Sequence, residues 1–340
     1  MNGIVYAGVA LLLFGAEVLY LRLATHYHIV DTPNHRSSHT QLTVRGGGII
    51  FWLAAFLAFV VTDFASPVFF VGLTLVALVS FLDDISSIST RIRLLIQLIS
   101  LGLLLQQTGL WSELSWWMVP GLILACGVLN AYNFMDGING ITVFYSAITI
   151  ATLLIINQFY IPFTGSLLLV FSLIGLVIFA FFNARRQALC FAGDVGSVSM
   201  AFIVIFLLVS LMRESGQLTY ALLLTVYGID SVMTILYRLW RGENIFQPHK
   251  LHLFQLLVHQ LQWPHLRVAG LYALTQAFIN GYVIWLTRRD AQMQFWGGFS
   301  LLMGLTLAYI VIKNRLNRLV ATRHKPGQGR ETSQVFRRLS

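Results

Sequence analysis

Four acidic residues stand at the edges of long apolar runs: Asp83 and Asp84 in FLDDISS, Asp136 in NAYNFMDGING and Asp194 in CFAGDVGS. The chain has only 13 Asp and Glu in 340 residues, so these placements in distant segments point to one shared polar pocket. A carboxylate at the end of an apolar helix persists when it is paired, solvated or bound to a cation. Adjacent Asp83 and Asp84 repel one another unless a cation intervenes. On a helix they cannot both face one way, so one faces the pocket and the other reaches it from the side; a solvated loop start is the plainer alternative. Asn130, Asn133 and Asp136 follow one another along a helix face. Asn amides read polar ligand edges, while Gly137 and Gly140 let the backbone turn and a ligand approach; ordinary helix C-capping would use the same residue types. Asp194 lies between Gly193 and Gly196. A carboxylate on such a turn suits Mg²⁺, which takes one or two carboxylates plus substrate phosphate oxygens.

Basic and small residues accompany these acids. Arg185 and Arg186 precede Asp194 and suit either a phosphate or the charge bias of a membrane loop. His249, Lys250 and His252 in PHKLHLF bring three donors within four residues, a set that fits a pyrophosphate or an interfacial loop. Their spacing lacks the further Cys or His of a zinc site. Arg36, His39 and Arg45 precede Gly46-Gly47-Gly48, where a phosphate or a neighbouring helix can come close; the Lys-Ser/Thr of a P-loop is absent. Glu17 inside the first apolar run reads as a helix–helix hydrogen-bonding group, and Asp230, two helical turns before Arg238, as structural. Carboxylates for a divalent cation, with Arg, Lys and His for phosphates, are the parts of a phosphoryl-transfer site. An apolar setting implies that one reactant is a lipid.

The elements that must position these residues are membrane helices. The chain is 57% hydrophobic and 10% charged, against about 25% charged in soluble domains, so the expected fold is all-α, a polytopic integral membrane protein. A span needs about 20 apolar residues. Eleven spans are expected near 3–22, 47–62, 67–82, 94–110, 116–130, 141–157, 161–182, 197–212, 218–236, 267–286 and 295–313. They divide the 22 Lys and Arg unevenly: Arg213, Arg288 and Arg289 fall on one side and the remaining 19 on the other. Lys/Arg-rich loops stay cytoplasmic. The N-terminus is therefore expected outside and the C-terminus inside, with all four motif carboxylates at the cytoplasmic face. Residues 1–321 form one transmembrane catalytic domain and 322–340 a basic cytoplasmic tail. The first apolar run lacks signal-peptide features and reads as a retained span. Cys126 and Cys190 read as small buried residues, not a disulfide framework. The net charge of +9 is assigned to topology and anionic lipid headgroups, not to nucleic acid.

Over residues 28–265 the chain resembles the polyprenyl-phosphate N-acetylhexosamine-1-phosphate transferases, a family that includes initiating enzymes of O-antigen and teichoic acid synthesis and the phospho-MurNAc-pentapeptide translocase. DTPNHRSSH, RGGG, FLDD, NAYNFMDGING, FAGDVGS and Asp230 ahead of the HKLH loop stand in the family's order. The resemblance implies transfer of a sugar 1-phosphate from a cytoplasmic UDP-N-acetylhexosamine to undecaprenyl phosphate, with release of UMP. It implies a bacterial inner-membrane enzyme with Mg²⁺ as cofactor (Mn²⁺ as substitute) and a homodimer as an allowed assembly. By motif position it makes Asp194 the metal ligand. Asp83 would orient or deprotonate the lipid phosphate, with Asp84 in support of it and of the nucleotide. Asp136 and Asn133 would complete the pocket, and His252 would bind the diphosphate. Asn130, Arg185, His249, Lys250 and Gly47 are the further substrate-binding candidates. Two departures stand out: Asn139 occupies the place of a second acid, and Phe254 and Gln255 follow where the family often has histidines. The form is nearest the O-antigen or capsule branch.

A secondary transporter using carboxylates for ion coupling is the rival reading, but transporter acids usually lie near the bilayer midplane. An intramembrane aspartyl protease is a weaker one, because Cys190-Phe191-Ala192 precede the Gly-Asp pair where GxGD is required.

Overall fold

The computed structural model describes residues 3–31, 42–113, 116, 118–244 and 250–323. Arg36, His39, His249 and residues 324–340 of the expected tail lie outside the described residues. The described chain is almost wholly helical. In order come α1 (Gly3–His26), α2 (Ile49–Val61), α3 (Pro67–Ile85), α4 (Thr90–Gln107), α5 (Met118–Met135), α6 (Ile141–Phe159), α7 (Ser166–Asn183), α8 (Gly193–Ser215), α9 (Thr225–Trp240), α10 (Leu253–His259), α11 (His265–Leu286) and α12 (Ala291–Arg323). A two-residue antiparallel pair, β1 (Val30–Asp31) with β2 (Thr43–Val44), interrupts the expected all-helical pattern. Val44 also bridges to Cys190, tying the segment before α2 to the turn before α8.

Each expected apolar segment coincides with helix. Among the described residues eight helical segments, against the eleven spans expected, are long and apolar enough to cross a membrane, and α2 is a shorter apolar helix of 13 residues. The protein is a polytopic membrane protein whose core element is α8. Its apolar residues run all round the helix and are buried from Val195 to Leu208, the pattern of a helix enclosed by neighbours. α2, α3, α5 and α6 pack around it. Both cysteines are free.

Small residues set the closest crossing. A Cβ on Gly48 would sit 2.3 Å from the Cα of Gly196, and one on Gly196 would sit 2.6 Å from the Cα of Gly48. Backbones this close need glycine on both sides. The triple glycine before α2 thus serves helix packing. Gly47 is buried, donates its N–H to the Phe191 carbonyl, and a Cβ there would meet Cys190 Sγ at 2.7 Å and Glu17 Oε1 at 2.8 Å. Gly48→Ala is expected to cost about 1–3 kcal/mol through overpacking. Gly8→Ala, with nothing within 4 Å of the added carbon, should melt like wild type in the same detergent. Equal melting of the two variants would contradict the close crossing.

The expected ninth span is broken. Residues Leu218–Leu224 form a 3-10 helix before α9 begins. Gln276 of α11 supplies partners for the freed backbone: its Oε1 accepts from Val226 N–H at 3.0 Å and its Nε2 donates to the Leu222 carbonyl at 3.3 Å. Irregular backbone at membrane depth persists when protein groups satisfy it in this way. Glu17 is buried in α1 and its Oε1 accepts from Cys190 Sγ at 3.5 Å, a partner in the turn before α8 and not in a helix as expected.

Candidate active site

The C-terminal ends of α3 and α5, the N-terminal ends of α4 and α8, and the strand before α2 meet at one end of the bundle. Asp83 and Asp84 close α3, and their carboxyls diverge as adjacent helical positions require. Asp83 Oδ1 accepts from Ile88 N–H at 2.6 Å, which shapes the turn into α4. Its Oδ2 pairs with Arg93 on the first turn of α4. Arg93 Nη1 also reaches Asp194 Oδ2 at 3.2 Å, so one guanidinium joins two carboxylates.

Asp84 takes a different path. Its Oδ1 accepts from Asp194 N–H at 2.9 Å and its Oδ2 from Val195 N–H at 3.0 Å. These are amides of the first turn of α8, which have no partner within their own helix. Arg45 Nε meets Asp84 Oδ1 at 2.6 Å, while Arg45 Nη2 meets Asp194 Oδ1 at 2.9 Å. The Asp84 side chain has 0% exposure. With both oxygens occupied and no open face, Asp84 caps α8 and anchors Arg45. Gly193 makes the arrangement possible: its φ is +71°, and a Cβ would lie 2.5 Å from Asp84 Oδ2. Left-handed backbone with no room for a side chain requires glycine.

Asp194 is the focal group. Arg93 bridges the carboxylates of Asp83 and Asp194, and Asn133 lines the same cleft as Asp194. Among the described residues no three His, Cys, Asp or Glu side chains gather as a metal cluster. The carboxylates of Asp83 and Asp194 nonetheless suit Mg²⁺, which takes one or two carboxylates and fills its remaining positions with water or substrate oxygens. Burial opposes the charge on Arg45, but Asp84 and then Asp194 outweigh it and raise its pKa, so it stays cationic.

A cleft lined by Ser80, Arg93, Gln97, Asn130, Asn133 and Asp194 opens beside this cluster. Asn130 Nδ2 donates to Gln97 Oε1 at 3.2 Å and to the Cys126 carbonyl at 2.8 Å. Asp136, just beyond α5, accepts from Thr142 Oγ1 at 2.6 Å. Burial pushes its carboxyl up to about 6, against the Thr142 hydrogen bond and reinforced by the nearby Asp194 charge.

Asn139 does other work. Its Nδ2 donates to the Arg185 carbonyl at 2.9 Å, and Asn183 Oδ1 accepts from the following Gly140 N–H at 2.8 Å. A carboxylate at 139 would place acceptor against acceptor, which explains the departure from the expected acid. Asn139→Asp should destabilise by about 1–3 kcal/mol, the cost of an unsatisfied buried group. A thermal midpoint equal to wild type at neutral pH would contradict that reading. The Arg185 guanidinium stacks on Phe181, 4.4 Å from the ring centroid, and Arg185 Nε bonds the Phe181 carbonyl. It is turned back onto the end of α7.

His252 belongs to a second buried cluster. Its Nδ1 lies 3.4 Å from Asp230 Oδ1, and its ring stacks on Phe254 with centroids 5.8 Å apart. Phe254 in turn packs beneath Gly137, where a Cβ would meet it at 3.0 Å. The histidine segment thereby abuts the turn that carries Asp136. Gln255 Oε1 accepts from His252 N–H at 3.2 Å, so the residues in the family's histidine positions hold the start of α10. Lys250 lies just before this turn.

Sequence reasoning missed Arg93, because a basic residue at an inner helix end is expected from topology alone. Its spacing ten residues after Asp83 was the available signal. It also missed the pairing of Asp230 with His252, which no helical period connects.

The glycosyl transferase family 4 model matches residues 66–212, the stretch that carries Asp83, Asp84, Asp136 and Asp194. Over that stretch the chain is similar to this family. Similarity to individual proteins extends well beyond that stretch. A probable undecaprenyl-phosphate N-acetylglucosaminyl 1-phosphate transferase of Bacillus subtilis (strain 168) is 26% identical over 302 residues, covering 78% of this chain and 81% of the relative. The undecaprenyl-phosphate alpha-N-acetylglucosaminyl 1-phosphate transferase of Escherichia coli (strain K12) is 26% identical over 277 residues, covering 74% and 75%. A phospho-N-acetylmuramoyl-pentapeptide-transferase of Streptococcus sanguinis (strain SK36) is 26% identical over 272 residues, covering 70% and 82%. The glycosyl transferase family 4 match therefore joins the carboxylate cluster to relatives named for transfer of sugar 1-phosphates.

Proposed function

We propose that the protein transfers an N-acetylhexosamine 1-phosphate from a UDP-sugar to undecaprenyl phosphate and releases UMP. The observation that carries this reading is the convergence of Asp83, Asp194, Arg45 and Arg93 at one end of a membrane bundle. That set can hold a divalent cation and phosphates together, and its relatives are named for such transfers.

In the reaction an oxygen of the acceptor phosphate bonds to the sugar-linked phosphorus of the donor. The bond from that phosphorus to the UMP oxygen breaks, and its electron pair leaves with UMP. No proton is gained or lost overall. A phosphate monoester has its second pKa near 6, so the acceptor is largely dianionic at neutral pH. Positioning and charge neutralisation are then the main tasks of the protein. Asp194 and Asp83, with Asn133, are the residues that would hold Mg²⁺ or its substitute Mn²⁺, which supplies neutralisation of phosphate charge when bound. Arg93 and Arg45 bring guanidinium groups whose planar forks match phosphate oxygens. Asp83, joined to Asp194 through Arg93, orients the acceptor phosphate. Asp136 and Asn133 shape the polar wall, and His252 with Lys250 meets the donor's diphosphate.

The Lys/Arg asymmetry supports an inward-facing site, with the N-terminus outside and the C-terminus in the cytoplasm of a bacterial cell. The lipid-linked product would start a surface glycan of the O-antigen or capsule kind. UDP-N-acetylglucosamine labelled at its β-phosphorus tests the reading. Label is expected in the undecaprenyl-linked product after incubation with undecaprenyl phosphate and Mg²⁺; label retained wholly in water-soluble nucleotide overturns it.

A further inference from the structure

The final helix reaches the donor end of this site through a buried polar chain. Asp230 is 2% exposed and gathers groups from four helices. It accepts from Leu253 N–H at 2.9 Å, Tyr272 Oη at 2.7 Å and Tyr309 Oη at 3.3 Å, and Thr234 Oγ1 lies 3.3 Å from its Oδ1. His252 Nδ1 faces the same Oδ1. A buried carboxylate needs both hydrogen bonds and countercharge.

Besides His252, a cation on α12 reaches this carboxylate. Lys313 is 5% exposed, although lysines at helix ends ordinarily extend their ammonium to the interface. Its Nζ donates to Tyr309 Oη at 2.7 Å and to Thr234 Oγ1 at 3.3 Å. Tyr309 thus accepts from the ammonium and donates to the carboxylate, linking Lys313 to Asp230 in one step. The aromatic faces of Tyr309 and Tyr237 lie 5.0 and 5.1 Å from the ammonium, a placement that favours a cation. Asp230 in turn fixes both the His252 ring and the backbone amide of Leu253, the residue after it. A carboxylate on one ring nitrogen sets the ring's orientation and the direction of the other nitrogen.

We propose that Lys313 is a positioning residue for donor binding, acting through Tyr309 and Asp230 on His252. The inference rests on the functional reading above and extends it to a helix about 60 positions further along the chain. Lys313 touches neither substrate. Its removal takes away the cation that reaches Asp230 through Tyr309, and the His252 ring and the start of α10 lose a fixed orientation. The donor side of the reaction should suffer while the acceptor side does not.

The test compares steady-state UMP release by wild type, Lys313→Met, Lys313→Arg and Tyr309→Phe, with UDP-N-acetylglucosamine and undecaprenyl phosphate varied in turn. Lys313→Met and Tyr309→Phe are expected to raise the donor KM about tenfold, the scale of one lost charge-assisted contact, with the acceptor KM unchanged. Lys313→Arg is expected to stay near wild type, because it retains the charge. Tyr309→Phe decides the matter if Lys313→Met does not fold. A wild-type donor KM in Tyr309→Phe, or equal rises for both substrates, overturns the inference alone. A wild type that releases no UMP overturns the functional reading and the inference with it.

Discussion

Asp194→Asn is expected to lower turnover by at least about 10³-fold, the scale of losing a group that stabilises transferring phosphate charge, while the protein stays folded. The geometry separates these two effects. Asp194 shares each of its arginine partners: Arg45 also holds Asp84, and Arg93 also holds Asp83. Removing the charge on Asp194 therefore leaves both guanidiniums paired. The backbone amide of Asp194 still donates to Asp84, so the first turn of α8 keeps its cap. What the variant loses is one of two facing carboxylates beside the cleft. Product release measured across a Mg²⁺ series, together with a melting curve, checks the prediction. Turnover within a fewfold of wild type, with the same metal dependence, would remove Asp194 from the reaction.

The neighbouring acid is expected to behave in the opposite way. Asp84→Ala removes a fully enclosed carboxylate that serves two amides of α8 and one guanidinium. Breaking a buried pair by deleting one partner costs about 3–5 kcal/mol, a large share of the roughly 5–15 kcal/mol that holds an ordinary domain together. The yield of folded protein and its melting temperature should both fall. Asp83→Asn, on a partly open side chain, should fall far less in stability and more in activity. An Asp84→Ala protein that melts like wild type would contradict the capping role and return Asp84 to the reacting groups.

These two variants also show how far the sequence is readable by itself. The sparse acids at the edges of apolar runs led to the carboxylate end of the bundle, because a charge beside a membrane helix needs a reason. Apolar length located the helices for the same cause. The division of labour between Asp83 and Asp84 was half legible: adjacency dictates that they diverge, but which one turns inward depends on where α8 begins. The break before Thr225 was not legible, since Leu218–Leu224 are apolar and the side chain that repairs the break, Gln276, lies in another helix. Arg93 was hidden behind the ordinary charge bias of membrane loops. Asp230 and Lys313 are joined by packing across helices, which no spacing along one helix reveals. Asn139 shows the converse: its departure from an expected acid was visible, and its cause, the Arg185 carbonyl, was not.

The central claim is that the donor breaks between its two phosphates, not between sugar and phosphate. Identification of the released nucleotide tests it most directly. Purified protein is incubated with undecaprenyl phosphate, Mg²⁺ and a panel of UDP-N-acetylhexosamines, and the soluble products are separated. UMP in equal amount to the lipid-linked sugar is the expected result for at least one donor. Release of UDP, or no nucleotide product from any donor, would contradict the account.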